Sequence, residues 1–175
     1  DIRSSAWGSI IFSLLVIFLY ILVRFKKWQF SLGAVIAVFH DVLIVLSVFS
    51  ILYGILPFSL EIDQAFIAAI LTIIGYSLND TVVVFDRVRE YMINYKKKEV
   101  HEFINQSLNS TLSRTINTSL TTFFVLLVIF LFGGEVIKGF MFALMVGVIV
   151  GTYSSLFVAS PIMVDTIKRR EIKNK

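Results

Sequence analysis

The stretch GYSLNDTVVVFDR, from Gly75 to Arg87, places a carboxylate, Asp80, inside an apolar run that is long enough to cross a lipid bilayer. An ionised side chain at that depth costs about 2.5 to 3.5 kcal/mol on insertion scales, so such residues are usually retained for function. A run of this length predicts a transmembrane helix, and Asp80 is then the first candidate for a functional residue.

The composition of the chain is that of an integral membrane protein. Hydrophobic residues make up 57% of its 175 residues and charged residues 16%, with a mean hydropathy of +0.86, which is too apolar for a soluble domain. There is no cysteine, and His40 and His101 lie far apart, so we predict no disulfide, metal site or other cofactor. The chain begins at Asp1 without a signal-peptide pattern, and we interpret it as part of a longer protein.

Five apolar segments are predicted to cross the membrane, because a spanning helix needs about 20 mainly apolar residues. They lie near residues 6–23, 30–55, 64–85, 113–133 and 138–163. We therefore predict an all-α, polytopic membrane helix bundle with five transmembrane helices, forming a single domain over residues 1–175. The connection 86–112 carries apolar residues at helical spacing, which predicts short amphipathic helices on the cytoplasmic surface.

Positive charge is distributed unequally between the two sides of these spans. Fourteen of the sixteen Lys and Arg residues fall on one side, in the segments after the first, third and fifth spans and, for Arg114, at the adjoining end of the fourth span. Since Lys and Arg stay preferentially in the cytoplasm, the N-terminus of this chain is predicted outside and its C-terminus inside. We interpret the basic run Lys96–Lys98 as a solvated turn near anionic lipid rather than as a specific binding site, and we expect no nucleic acid partner.

Polar residues in the third and fourth spans are spaced so that each set shares one helix face. In the third span these are Thr72, Gly75, Tyr76, Asn79 and Asp80, and in the fourth Arg114, Asn117, Thr118 and Thr121. A polar face at membrane depth must be buried in protein or line a water-filled cavity. Because both Asp80 and Arg114 lie toward the cytoplasmic ends of antiparallel spans, the two side chains could meet.

Such a pair suits proton coupling. Burial favours the neutral form of a carboxyl group and a nearby guanidinium favours the charged form, so movement of Arg114 could switch Asp80 between the two. Arginine itself stays protonated. The alternatives are a static buried ion pair that fixes helix register and, for the supporting face, interhelical hydrogen bonding without transport chemistry. That supporting face comprises Thr72, Tyr76, Asn79, Asn117 and Thr118.

Two further features lie outside this pair. His40 and Asp41, near the middle of the second span, form a possible proton relay, although His40 could equally be a core residue with satisfied hydrogen bonds. Small residues recur every four positions from Ala143 to Ala159 and include Gly147 and Gly151. This spacing predicts a flat ridge that lets another helix backbone approach closely.

We predict no catalytic residues. Two membrane aspartates, Asp41 and Asp80, suggest an intramembrane aspartyl protease, but that chemistry needs paired carboxylates in contact that share a proton. Asp80 is preceded by Ser77, Leu78 and Asn79, without the Gly-x-Gly-Asp signature of such proteases.

Three longer motifs carry a resemblance to a known family. They are FSLGAVIAVFHDV from Phe30 to Val42, GYSLNDTVVVFDRVRE from Gly75 to Glu90, and SRTINTSLTT from Ser113 to Thr122. In this order and topology they resemble SecF, the smaller half of the SecDF protein-export membrane component in the resistance, nodulation and division (RND) superfamily. The resemblance extends over nearly the whole chain.

This resemblance implies a proton-driven accessory of the Sec translocon in the bacterial cytoplasmic (inner) membrane. It places the aspartate and arginine of the family at Asp80 and Arg114, with protons as the coupling ion. The five spans correspond to the second to sixth of the family, which leaves the first span, the periplasmic domain and the SecD half outside this chain. The implied partners are SecD, the SecYEG translocon, YidC and, through the absent domains, preproteins.

Two other functions stay open at this point. A passive membrane scaffold that holds translocon partners would tolerate changes at Asp80 and Arg114, whereas bulky residues at Gly147 or Gly151 would disrupt its assembly. The chain could also be half of another RND-type proton-coupled transporter.

Overall fold

The fold consists of long helices. The computed structural model describes residues 2–94 and 100–173, which form α1 (Ile2–Phe25), α2 (Trp28–Leu52), α3 (Gln64–Asn94), α4 (Val100–Phe132), α5 (Glu135–Ser154) and α6 (Ser160–Lys173). A π-helical turn, Ser155–Ala159, joins α5 to α6. These residues contain no β-strand, which confirms the predicted all-α class.

Most of these helices are suited to a membrane. Four stretches are long and apolar enough to cross one: α2, α3, the part of α4 from Ile104, and the continuous helix Glu135–Arg169. The described apolar part of α1, Ile11–Phe25, is shorter, although α1 as a whole has 24 residues and would measure about 36 Å at 1.5 Å per residue. The chain is therefore a multi-pass membrane protein.

The helix ends differ from the predicted spans. The amphipathic segments of 86–112 are helical, but they continue α3 and α4 instead of forming separate short helices. The reason is that no Gly or Pro interrupts the sequence between Gly75 and Gly133. The run Lys96–Lys98 lies outside the described residues. The second predicted span is shorter in the structure than in the prediction. Helix α2 ends at Leu52 and not at residue 55, because the chain turns at Gly54 with a φ of 76°.

The last helix passes through Pro161 instead of ending near it. Ser155–Ala159 forms the π-turn, and the Ser160 hydroxyl donates to the Ser155 carbonyl at 3.0 Å. Since proline has no N–H to give to the preceding turn, the wider turn accommodates the missing hydrogen bond. The predicted span 138–163 is therefore part of a longer helix, which begins at Glu135 and ends at Lys173.

Small residues bring α5 close to α3. The small-residue ridge consists of Ala143, Gly147, Gly151, Ser155 and Ala159, all of which are buried. A Cβ atom on Gly147 would collide with the Ile73 side chain, and one on Gly151 would lie 3.0 Å from the Cβ atom of Ser77. The structure thus places the ridge inside the bundle, where it lets the two helix backbones approach each other.

Candidate functional site

A layer of polar side chains crosses the bundle from α2 to α4. We call it the polar layer; its members are His40, Asp41, Tyr76, Ser77, Asp80, Ser119, Thr152 and Ser154. It contains two networks, one around each aspartate. The networks adjoin on α3, where Tyr76 and Ser77 are neighbours, and on α5, where Thr152 and Ser154 are two residues apart.

The first network surrounds Asp41, which is only 1% exposed. Its Oδ2 atom accepts hydrogen bonds from the hydroxyls of Ser77, at 2.5 Å, and Ser154, at 2.8 Å. Its Oδ1 atom lies 3.2 Å from Nδ1 of His40. Both carboxylate oxygens therefore have partners, as a buried polar group requires.

Helix packing brings these donors to Asp41. Gly151 allows α5 to lie close to Ser77, and Ser154 follows three residues later on the same helix. Ser77 is likewise three residues from Asp80, so both point into the bundle from α3. Ser77 and Ser154 were absent from the sequence prediction, although the spacing to Asp80 and to the small-residue ridge is a signal that could have found them.

The second network surrounds Asp80, which is 3% exposed. The Ser119 hydroxyl is its hydrogen-bonding partner, and the hydroxyl oxygens of Ser119 and Thr152 lie 2.5 Å apart. The Tyr76 hydroxyl is 3.5 Å from those of Ser119 and Thr122. The Oδ2 atom of Asp80 is buried and has no hydrogen-bond partner among the described residues. Asp80 is thus the less satisfied of the two buried carboxyl groups.

The inner face of α4 differs from the predicted one. Hydroxyl residues four positions apart face the bundle, namely Ser107, Thr111, Thr115 and Ser119. The predicted face of Arg114, Asn117, Thr118 and Thr121 is exposed. Neighbouring residues are about 100° apart around a helix, so Arg114 and Thr115 cannot both face α3, and the smaller side chain lies inside.

Asp80 and Arg114 are near each other without touching. Neither takes part in any ion pair that the described residues form. The Arg114 guanidinium nevertheless acts on the Asp80 carboxylate through space. The sequence predicted that the two could meet, and the structure brings them within electrostatic range only.

The supporting residues form a second polar surface on the outside of this chain. Thr72, Asn79, Asn117 and Thr118 are exposed, together with Arg114; we call these five residues the outer polar surface. The Thr72 hydroxyl donates to the Ala68 carbonyl at 2.8 Å, and that of Thr118 to the Arg114 carbonyl at 2.7 Å. Tyr76, by contrast, belongs to the polar layer.

The described residues show no metal centre. Within 2–94 and 100–173, no group of three or more His, Asp or Glu side chains is placed to hold a metal ion. The polar layer is therefore built from hydroxyl, carboxyl and imidazole groups, all of which can donate, accept or carry protons.

Comparison with known proteins identifies the family. Residues 1–169 match the family described as "Protein export membrane protein SecD/SecF, C-terminal". The chain belongs to the SecD/SecF family. It is 61% identical over 175 residues to the protein translocase subunit SecF of Rhodothermus marinus and 46% identical to that of Petrotoga mobilis. Each match covers 100% of this chain and 56% of the relative, so the chain spans about half the length of the curated relatives it matches.

Solved SecDF structures share the fold. The crystal structure of SecDF in the super-membrane-facing form matches 92% of this chain and 21% of that chain, with a TM-score of 0.84 and 43% identity. SecDF from Thermus thermophilus matches 95% of this chain and 22% of its own, with a TM-score of 0.86 and 42% identity. These matches confirm the predicted SecF-like arrangement of helices.

Ser77→Ala tests the hydrogen bonding of Asp41 in this SecD/SecF chain. The change keeps the Cβ atom that packs near Gly151 and removes only the hydroxyl that donates to Asp41. We expect a loss of stability of about 1 to 3 kcal/mol, because a buried carboxylate loses a partner. Thermal unfolding of the full-length protein in detergent measures it. Ser47→Ala is the control, because Ser47 is exposed and donates only to Leu43 of its own helix; equal losses in both variants would contradict the prediction.

Proposed function

We propose that the chain is the membrane part of a SecF-like subunit that uses the proton-motive force to promote preprotein translocation through the Sec translocon. The relatives named protein translocase subunit SecF and the SecDF structures support the role in export. In this proposal Asp80 binds and releases the coupling proton, and no other cofactor takes part. The membrane is the bacterial cytoplasmic (inner) membrane.

The observation that carries the proposal is the Oδ2 atom of buried Asp80, which has no hydrogen-bond partner within residues 2–94 and 100–173. A buried charge without full hydrogen bonding is costly, and protonation removes that charge. The cost of a carboxylate at membrane depth is about 2.5 to 3.5 kcal/mol on insertion scales, and one charge moved through 100 mV carries about 2.3 kcal/mol. These energies are similar, so a membrane potential can shift Asp80 between its two forms.

The outer polar surface supports the second part of the proposal, a partner that completes the site. Polar side chains at membrane depth need protein or water around them, and Asn79, Arg114 and Asn117 are exposed in this chain. We propose that the SecD half covers this surface and moves Arg114 relative to Asp80 during the cycle. SecYEG and YidC are the further partners in this proposal, and preproteins are bound by parts of the protein outside this chain.

Arg114→Met tests this role. The change removes the fixed positive charge from the outer polar surface, so we expect proton-dependent export to fall to background while membrane insertion is unchanged. Export of a preprotein into sealed vesicles, with and without a proton-motive force, measures the effect. Arg114→Lys keeps the charge and is expected to retain part of the activity. Normal export by Arg114→Met would overturn the proposal.

The same experiment tests the scaffold alternative. A passive scaffold would tolerate Arg114→Met. The small-residue ridge gives that alternative no docking surface, because Gly147 and Gly151 are buried against α3 of the same chain. The family match to protein-export proteins also favours export over another RND-type transporter half.

A further inference from the structure

The proposed function leaves a second buried carboxyl group, Asp41, without a role. We propose that Asp41 is a second proton-binding site, which is loaded through His40 and changes the hydrogen bonding of Ser154 at the end of α5. This inference rests on the proposed function, because it adds a second site to the same proton-coupled cycle.

His40 connects Asp41 with the surroundings of the chain. Asp41 is 1% exposed, whereas the His40 side chain is 33% exposed and its Nδ1 atom lies 3.2 Å from Oδ1 of Asp41. The second ring nitrogen, Nε2, makes no hydrogen bond with the described residues. A proton can therefore bind at Nε2 while the proton on Nδ1 passes to Oδ1 of Asp41. His40 is neutral again after this step, and Asp41 has become a neutral carboxylic acid.

Ser154 can respond to the charge of Asp41, because two acceptors lie within reach of its hydroxyl. The oxygen is 2.8 Å from Oδ2 of Asp41 and 3.2 Å from the carbonyl of Gly151. A hydroxyl carries one hydrogen. Ionised Asp41 holds that hydrogen strongly, whereas the neutral acid, which carries the new proton on Oδ1, leaves Oδ2 as a weaker carbonyl acceptor, so the Ser154 hydrogen turns more often to Gly151. Both states leave the Ser154 hydroxyl with an acceptor.

The position of Ser154 gives this change a mechanical consequence. Ser154 is the last residue of α5 and directly precedes the π-turn Ser155–Ala159. Single π-turns within α-helices are often found at functional sites. This turn also lies against α2, where a Cβ atom on Gly33 would be 2.7 Å from the Ala159 carbonyl. Weakening of the hydrogen bond from Ser154 to Asp41 therefore weakens the contact between α2 and the π-turn that joins α5 to α6.

Few other ionisable groups surround Asp41. Only His40 acts on it electrostatically among the described residues. In sequence, the titratable residues that lie closest to Ser77 and Ser154 are Tyr76 and Asp80 on α3 and Tyr153 on α5, and the π-turn contains none. The titratable side chains that the structure describes on α1 and α6 are Tyr20, Arg24, Asp165, Lys168 and Arg169. Arg24 pairs with Asp86, which lies nine residues beyond Ser77 on α3. Asp165 lies eleven residues beyond Ser154. Asp86 and Asp165 are therefore two or more helical turns away from the serines that contact Asp41.

Infrared spectroscopy of the full-length protein with its partner half tests the inference. The starting protein carries Asp80→Asn, because this change removes the infrared band of the Asp80 carboxyl group. We expect a carboxylic-acid C=O band that appears as the pH is lowered. The band should be lost in Asp80→Asn/Asp41→Asn. The inference would be overturned if the band persists in Asp80→Asn/Asp41→Asn. It would also be overturned if the Asp80→Asn protein shows no such band at any pH.

Two further variants separate the proposed roles from a purely structural one. His40→Gln, which keeps a hydrogen-bond donor, should slow the appearance of the band at least about tenfold after a pH drop, equal to about 1.4 kcal/mol, with the final amplitude unchanged. Ser154→Ala should shift the frequency of the band, and Ser160→Ala, which removes a hydroxyl bonded to Ser155, should not. An unchanged rate in His40→Gln contradicts the relay, and an unchanged frequency in Ser154→Ala contradicts the switch.

Failure of the proposed function has a different signature. If Asp80 does not titrate, wild type and Asp80→Asn will give the same pH-dependent band. If Asp41 does not titrate, the pH-dependent bands of wild type and Asp80→Asn will differ, and adding Asp41→Asn to either protein will leave its band unchanged. Asn retains the size of Asp and one acceptor oxygen for the Ser77 and Ser154 hydroxyls, so Asp41→Asn preserves most of the network.

Discussion

Asp80→Asn is expected to reduce proton-dependent preprotein export at least about tenfold, a loss of about 1.4 kcal/mol or more in the driving step. The amide has nearly the shape of the carboxyl group and can still accept from Ser119, but it cannot take up and release a proton. Export into sealed vesicles, compared in the presence and absence of a proton-motive force, measures the loss. The amount of inserted protein should be unchanged.

Asp86→Asn is the matched control for this prediction. Asp86 is an aspartate of the same helix, but it is 39% exposed and pairs with Arg24 at 2.8 Å. Exposed ion pairs contribute about 0 to 1 kcal/mol, so Asp86→Asn should leave export close to that of wild type. Equal activity of Asp80→Asn and Asp86→Asn would show that the buried carboxyl group is not the coupling site.

Gly147→Leu is expected to have the largest effect on folding. A Cβ atom at this position already collides with the side chain of Ile73, and the rest of a leucine side chain would force α5 away from α3. Overpacking costs about 1 to 3 kcal/mol in many cores and sometimes more; we expect about 3 kcal/mol or more here. Thermal unfolding in detergent and the yield of inserted protein measure this loss.

The control and the rescue for this prediction use the same helices and side chains. Gly8→Leu adds the same side chain on α1, where a Cβ atom meets nothing within 4 Å, and it should change stability little. Gly147→Ala should be rescued in part by Ile73→Ala, since the colliding atoms belong to Ile73. If Gly147→Leu is as stable as Gly8→Leu, the close contact of α3 and α5 is refuted.

The fold could be predicted from hydropathy and spacing because these follow directly from the membrane environment. A lipid core requires helices of about 20 residues, and small residues every four positions allow close packing. The continuity of α3 through residues 86–94 was less apparent, since hydropathy falls after Phe85 although nothing in the sequence breaks the helix. The π-turn before Pro161 was not predicted, because a π-turn has no simple sequence pattern.

The candidate site could be predicted only in part. Burial of Asp80 followed from its membrane depth, whereas the orientation of α4 did not. Both Arg114 and Thr115 belong to faces that repeat at helical spacing, and periodicity does not tell which face packs within the chain and which stays exposed. The serines around Asp41 were missed for a related reason. A single Ser in an apolar helix becomes informative only once its neighbour on another helix is known.

Proton uptake tests the central claim, that Asp80 carries the coupling proton, most directly. Sealed vesicles that contain the full-length protein with its partner half would be given an imposed pH gradient, and the rate of proton entry measured for wild type and Asp80→Asn. We predict measurable entry in wild type and background entry in Asp80→Asn, with Asp86→Asn like wild type. Proton entry at the wild-type rate in Asp80→Asn would contradict the account.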